Sequence, residues 1–322
     1  MEEKIVRIVN EMAEVLNASQ LRKLQEVLLK ELCRESRMEK ATTNEEYLQM
    51  FLNAKKIEGC SDRTIQYYRV TVERFLKVVQ KRIRKVTAEE IRQYLVEYQS
   101  VNNCSKTTID NIRRNISSFF SWLEEEDYIL KSPMRKIHKI RAPKIVKTII
   151  SDEEIEKLRD ACTEMRDLAV VDLLYSTGIR VGELVRLNRK DIDFSERECI
   201  VFGKGDKERK VYFDARTKIH LQRYLASRTD SNEALIVGVN APFARLNIRG
   251  VEIRLRELGR KADVERIHPH KFRRTMATRA IDKGMPIEQV QKILGHSQID
   301  TTMQYAIVSQ NNVKESHRKF IA

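Results

Sequence analysis

The chain has 322 residues, of which 41% are hydrophobic and 34% charged, and a formal net charge of +14. That length exceeds one small domain, and two are expected. With a mean hydropathy of −0.50 and no apolar run near the roughly 18–20 residues of a helical span, a helical membrane protein is not expected.

The opening "MEEKIVRIVNEMAEVLN" mixes acids into its apolar pattern, unlike a signal or transit peptide, so a cytoplasmic location is expected. Cys33, Cys60, Cys104, Cys162 and Cys199 are odd in number and scattered, with no CxxC spacing. Neither a disulfide framework nor a zinc site is indicated, and reduced, mostly buried thiols are expected. A pI of about 9.5 points to a polyanionic partner, nucleic acid before any other.

In the first forty residues, Ile5, Ile8, Val9, Met12, Val15 and Leu16 recur at helical spacing, and Leu21, Leu24, Val27, Leu28 and Leu32 form a second set. "NASQ" between them reads as a break and cap. The pair is read as an αα-hairpin or an oligomerisation helix within a helical extension, residues 1–40.

Several helices follow over residues 41–138. "TTNEEYLQMFLNAKK" opens with Thr-x-x-Glu capping chemistry. "SDRTIQYYRVTVERFLKVV" takes Ser61 as its cap and puts Ile65, Tyr68, Val72, Phe75 and Val79 on one face. "TAEEIRQYLVEYQ" is short. "SKTTIDNIRRNISSFFSWLEEED" turns Ile109, Ile112, Ile116, Phe119 and Leu123 inward, and its other face carries Lys106, Arg113, Arg114 and Ser117. A charged outer face is usually just solvated. In so basic a chain it is also where phosphate and groove contacts would sit.

"KSPMRKIHKIRAPKIVK", residues 131–147, has two prolines, seven Lys or Arg and no acid. Pro133 and Pro143 oppose a continuous helix. A basic linker is expected over 139–147, able to neutralise phosphates. Candidate DNA contacts are therefore Arg63, Lys106, Arg113, Arg114, Lys139, Arg141 and Lys144.

From residue 148 the pattern changes. "SDEEIEKLRDAC" starts with a capping box, Ser151 and Glu154. "RDLAVVDLLYSTG" ends at Gly178, a helix stop. "RECIVFGKGDKERKVYF" reads as a hairpin around a Gly-rich turn. Helices are expected at about 214–226, 249–262, 271–284 and 286–294, the last with Pro286 near its start and Gly295 after its end. The second domain is thus mostly helical with a small sheet.

Polar residues at the breaks of this domain form a set. "STGIRVGELVRLN" spaces Arg180 and Glu183 for a salt bridge on one helix face. "GKGDKER" sets Lys204 between two glycines, usually a solvent-facing position; the pattern is not a phosphate loop, because no third glycine and no helix follow. "IHPHKFRRTMATRA" gives His270 and Arg273 as His-x-x-Arg. His268 and His270 could suit a metal, but no carboxylate or cysteine cluster accompanies them. "LGHSQIDTTMQYA" supplies His296 and Tyr305. Seen alone, Tyr305 is either a core aromatic beside the apolar stripe Ile299, Met303 and Ile307 or a nucleophile mounted on that stripe. Two arginines and a tyrosine suit phosphoryl transfer: guanidinium forks can grip both non-bridging oxygens of a phosphodiester. A phenol with pKa about 10 needs a nearby base to attack, and a lysine can protonate the leaving oxygen.

In order and spacing these motifs resemble the tyrosine recombinase (phage-type integrase) family, nearest its Xer-type and transposon-integrase members. The resemblance covers about 148–310 strongly and the helical segment before it more loosely. It implies a mainly α fold, with a helical core-binding domain and a catalytic domain, 148–322, that carries a small antiparallel sheet and a C-terminal docking helix. It implies Arg180 and Arg273 as the phosphate clamp, Glu183 as a supporting acid, Lys204 as general acid, His270 as base, His296 assisting and Tyr305 attacking. The implied reaction is cleavage and rejoining of DNA through a 3′-phosphotyrosine, without metal, ATP or other cofactor. The implied partners are duplex DNA with short inverted-repeat arms, three further copies in a tetramer joined through a Holliday junction, and an accessory protein or second recombinase in some systems. Two positions depart from the family pattern: Arg274 stands where His is common, and Phe272 where Leu is usual. A topoisomerase-like relaxing enzyme and a catalytically silent DNA-binding protein are the alternatives. Residues 1–40 fall outside the family's minimal layout.

Overall fold

The computed structural model describes residues 2–28, 42–142, 148–203, 208–306 and 321. The chain divides into two compact units, Met1–Ile145 and Val146–Ala322.

In the first unit, α1 (Glu2–Met12) is followed by a second helix, α2, over residues 18–28. Asn17 and Gln20 cap the break between them reciprocally: Gln20 N–H donates to Asn17 Oδ1 at 3.0 Å, and Asn17 N–H donates to Gln20 Oε1 at 3.1 Å. Of the two apolar stripes, Ile5 is buried, whereas Ile8, Val15 and Val27 are exposed; Leu32 lies outside the described residues.

Four helices form this unit's core: α3 (Asn44–Ile57), α4 (Asp62–Val79), α5 (Ala88–Asn102) and α6 (Lys106–Glu125). Each begins on a hydroxyl cap, Thr43, Ser61, Thr87 or Ser105, and Thr43 and Thr87 complete full boxes with Glu46 and Glu90. These caps satisfy amide donors that the helix itself leaves open. Phe51, Phe75, Phe119 and Phe120 are fully buried, and edge-to-face contacts join Phe51 to Phe119 and Phe75 to Phe120. Asn115 on α6 donates to Thr71 on α4 at 3.1 Å inside this apolar setting. That bond satisfies two polar groups that would otherwise penalise burial.

The basic segment after α6 is not free from its start. Pro133 opens a short 3-10 turn, Met134 is buried, and Ile137 and Ile140 pack on the same core. The chain stays with the first unit up to Ile140 because Asp110 Oδ1 accepts from Ile140 N–H at 3.0 Å.

The second unit is built around α8 (Met165–Thr177), whose Ala169, Val170, Val171, Leu173 and Leu174 are all buried. A helix apolar on every side belongs inside a core. Against it pack α7 (Asp152–Asp160), α10 (Ala215–Ser227) and α12 (Pro269–Asp282). Its two buried acids are paired: Asp172 with Arg159 and His220, Asp167 with Arg166 and Arg254. The expected hairpin is present as β2 (Glu198–Phe202) and β3 (Glu208–Tyr212), with Cys199 opposite Val211. A short β1 (Ile192–Asp193) adds a third antiparallel strand that periodicity could not reveal in two residues. The remaining elements are α9 (Val181–Leu184), α11 (Ile248–Lys261), α13 (Ile287–Leu294) and α14 (Asp300–Met303). Of the cysteines, Cys199 is buried, Cys60, Cys104 and Cys162 are partly exposed, and Cys33 lies outside the described residues.

Candidate active site

The central helix α8 aims the first arginine. It stops at Gly178, whose φ of +61° lies in the left-handed region that favours glycine. Two residues on, Arg180 becomes the N-cap of α9. Its backbone N–H donates to Glu183 Oε2 at 2.8 Å and its Nη1 to Glu183 Oε1 at 3.1 Å. The Arg-x-x-Glu spacing is therefore a helix cap and an ion pair at once. Glu183 is buried, while the Arg180 side chain keeps 38% of its surface exposed.

Glu183 has a second cation that sequence reasoning missed. Arg209, on β3, donates to both carboxylate oxygens, at 2.7 and 2.6 Å, and its Nε donates to Ile293 O at 2.8 Å. Burial alone would raise the Glu183 carboxyl. The Arg209 hydrogen bonds, the Arg180 amide and both positive charges outweigh that and hold it below the usual carboxylate range. The available signal was strand alternation: Arg209 shares a face with buried Val211, and a cation on an inward face needs an acid.

The end of α13 gathers all three guanidinium groups. Leu294 O accepts from Arg273 Nη2 at 2.6 Å and from Arg180 Nη1 at 3.4 Å, beside the Arg209 bond to Ile293 O. A helix C-terminus carries partial negative charge and open carbonyls, so it suits cations. Arg273 Nη1 also donates to Gly178 O at 2.9 Å. Gly295, at φ +64°, ends α13, and a Cβ there would lie 2.9 Å from Arg209 Cδ. Three guanidinium groups thus meet at one helix end with a single carboxylate, Glu183, paired to two of them, leaving an excess of positive charge. The strain of that crowding appears at buried Arg273, which burial and the Arg180 charge lower to about 10.

His296 and Tyr305 complete the cluster. Arg273 Nη2 lies 2.9 Å from His296 Nε2, and His296 Nδ1 lies 2.9 Å from Thr302 Oγ1. Burial, then the Arg273, Arg180 and Arg209 charges, depress the imidazole to about 4. The Tyr305 ring stacks on that imidazole, with centroids 6.1 Å apart and planes 25° apart. The expected mount differs. Ile299 and Met303 are exposed, and Ile307 lies outside the described residues. The inward group is Thr302, at 0% exposure, and Tyr305 itself packs on Ala277, Val290 and Leu294. A helix of four residues is too short to present a stripe, so the tyrosine follows in a turn, its N–H donating to Thr302 O at 2.9 Å.

The structure thus brings together Arg180, Glu183, Arg273, His296 and Tyr305. His270 is exposed on the first turn of α12, three residues before Arg273 and on the same side of the helix. Lys204 lies outside the described residues, between Phe202 and Glu208 on the hairpin strands. Phe272 is fully buried in the core, so this departure is a packing choice. Arg274 is half-buried, and its Nε has no hydrogen-bond partner among the described residues.

Among the DNA-contact candidates, Arg63 and Lys106 are exposed on the first turns of α4 and α6, and Lys139, Arg141 and Arg114 are also exposed. Lys144 lies outside the described residues. Arg113 differs from these in exposure: 12% of its side chain is exposed, and Nε donates to Asp110 Oδ1 at 2.8 Å. Its position three residues after Asp110 turns it toward that buried acid, not toward solvent. Among the described residues no group of three His, Cys, Asp or Glu could hold a metal ion, and no helix is long and apolar enough to cross a membrane.

Residues 148–312 match the phage integrase family, and residues 47–130 match the phage integrase N-terminal SAM-like domain. The chain is 31% identical to tyrosine recombinase XerC of Oceanobacillus iheyensis over 290 residues, 85% of this chain and 95% of that protein. Its fold is similar to that of XerH site-specific recombinase bound to palindromic difH substrate, with TM-score 0.68, 19% identity and coverage of 99% and 95% of the two chains. It is also similar to the Tn1549 transposon integrase in complex with a circular intermediate DNA, with TM-score 0.67, 20% identity and coverage of 86% and 99%. The chain therefore belongs to the phage integrase family and is a tyrosine recombinase.

Proposed function

We propose that this recombinase cuts and rejoins duplex DNA at a specific site through a 3′-phosphotyrosine link. The observation that carries the reading is the convergence of Arg180, Arg209 and Arg273 on one helix end, two of them also paired with Glu183, with Tyr305 stacked on the adjoining His296. The excess positive charge is fixed before substrate arrives, so it stabilises a developing oxyanion without reorganisation.

In this mechanism Arg180 and Arg273 hold the non-bridging oxygens of the scissile phosphate. The Tyr305 hydroxyl attacks phosphorus, forming the Oη–P bond as the bond to the 5′-oxygen breaks. His270 takes the phenol proton, and Lys204 gives a proton to the leaving 5′-oxygen. The phosphotyrosine keeps the energy of the phosphodiester, so a second 5′-hydroxyl can reverse the step and join strands. Four protomers on two sites would exchange strands through a Holliday junction. Inverted-repeat arms fit the palindromic substrate named for XerH. The net charge of +14 supports DNA as the partner, as do exposed Arg63, Lys106 and Arg114 on the first unit.

The test uses a nicked duplex carrying a site selected by the protein from a randomised inverted-repeat library. Wild type should become covalently attached, and Tyr305→Phe should bind without attachment. Joined products support recombination. Relaxation of a supercoiled plasmid carrying the same site, without joined products, would replace it with a topoisomerase activity, and binding without any adduct would leave a silent DNA-binding protein.

A further inference from the structure

Thr302 is wholly buried while its neighbours Thr301 and Met303 are exposed. Its Oγ1 touches one nitrogen of His296, and Arg273 touches the other. A guanidinium nitrogen can only donate. His296 Nε2 is therefore an acceptor, and the neutral ring carries its hydrogen on Nδ1, donating it to Thr302. The two hydrogens of Arg273 Nη2 are both engaged, one by Nε2 and the other by Leu294 O.

This arrangement suits the empty clamp but not the occupied one. A phosphoryl oxygen competes for Arg273 and calls for every N–H donor around it. Once Arg273 turns to that oxygen, His296 Nε2 loses its donor and presents a lone pair to an anion. The ring helps only if its hydrogen sits on Nε2, and then Nδ1 needs a donor of its own. A hydroxyl can accept from Nδ1–H in the first state and donate to bare Nδ1 in the second by rotating its hydrogen alone.

We infer that Thr302 is the positioning residue that lets His296 exchange tautomers when the scissile phosphate binds. Nδ1 releases its proton and Nε2 takes one up through solvent, so the proton count is unchanged. The Thr302 O–H rotates to donate to Nδ1, and Nε2–H donates to a non-bridging phosphoryl oxygen. Thr302 also holds the turn that presents the nucleophile, because its carbonyl accepts from Tyr305 N–H. The inference rests on the proposed cleavage reaction, in which His296 faces the phosphate.

The test compares full-length wild type, Thr302→Val and Thr302→Ser. Nitrogen NMR of labelled histidine, with the His296 signal assigned by its loss in His296→Gln, should find the Nδ1–H form without DNA and the Nε2–H form on the selected duplex. Single-turnover cleavage of the nicked duplex should slow by about tenfold or more in Thr302→Val at unchanged duplex affinity. Thr302→Ser should stay within about threefold of wild type, because serine keeps the hydroxyl. An Nε2–H form in the free protein, equal cleavage by Thr302→Val and wild type, or equal loss in the Ser and Val variants overturns the inference. Those results leave the cleavage reaction standing if wild type still forms the adduct. A bound wild type that forms no adduct overturns the proposed function, and this inference with it.

Discussion

Arg209 grips Glu183 with both terminal nitrogens, at 2.7 and 2.6 Å, while Arg180 reaches the same carboxylate through one nitrogen at 3.1 Å. The stronger pair leaves the weaker partner free to turn outward. Arg209 and Glu183 are 11% and 2% exposed. Removing Arg209 leaves the buried carboxylate only its weaker Arg180 contacts, and breaking a buried pair from one side costs up to about 3–5 kcal/mol. Arg209→Ala should lose stability of that order in denaturant titration. Adding Glu183→Gln should restore part of it, since the stranded charge is then gone. A double variant no more stable than Arg209→Ala would mean that packing, not charge, sets the loss.

The depressed His296 gives stability a pH signature. Its ordinary pKa of 6.5 holds in the unfolded chain, and its folded value is about 4. Between those values the unfolded state binds a proton that the folded state does not. Stability is therefore fully present above about pH 6.5 and declines as pH falls toward 4. Melting curves should show this decline for wild type and a shallower one for His296→Gln over the same window. Equal slopes would contradict a half-buried, cation-crowded imidazole.

Much of this organisation was legible in the sequence. Capping boxes at Thr43 and Ser151, the stop at Gly178 and the helices of the second unit are written in local chemistry, which neighbours in sequence decide. Arg180, Arg273 and Tyr305 could be singled out because their motifs sit at element ends. Thr302 could not, and Arg209 only through the strand alternation it shares with Val211. Each looks ordinary in its own segment, a basic strand residue and a small polar one, and matters only through contacts 26 and 6 residues away. The difference in exposure between Arg113 and Arg114 was hidden for the same reason: helical spacing gives the two one face, and only packing shows 12% of one side chain and 60% of the other exposed.

Gly178 joins backbone geometry to the clamp. Its carbonyl accepts from Arg273, and a Cβ would sit 2.4 Å from Met276 Cε. That methyl is the far end of a flexible side chain and can move aside, whereas the left-handed φ cannot be relieved. Gly178→Ala should therefore cost about 1–2 kcal/mol of stability, and Met276→Ala should not rescue it. Recovery in the double variant would assign the cost to the clash. Because the shifted carbonyl also steers Arg273, single-turnover cleavage should slow as well.

Arg113 and Arg114 should separate DNA binding from folding. Both meet Asp110: Arg113 Nε at 2.8 Å with 12% of its side chain exposed, Arg114 Nε at 3.1 Å with 60% exposed. Asp110 also accepts from Ile140 N–H. Burial would raise its carboxyl, but the Arg113 bond, the Ile140 amide and both arginine charges together hold it below its usual range. Removing Arg113 strips that acid of its best-placed partner, so Arg113→Ala should lower the stability of the first unit. Removing Arg114 takes away a charge that solvent, and hence a phosphate, can reach. Arg114→Ala should reduce the salt dependence of DNA binding by about one released counterion with little change in melting temperature. The measurement is binding to one duplex across a salt series for both variants, beside their thermal unfolding. If Arg113→Ala reduced the salt slope and Arg114→Ala did not, the surface that meets phosphate would have to lie on the Asp110 side of α6.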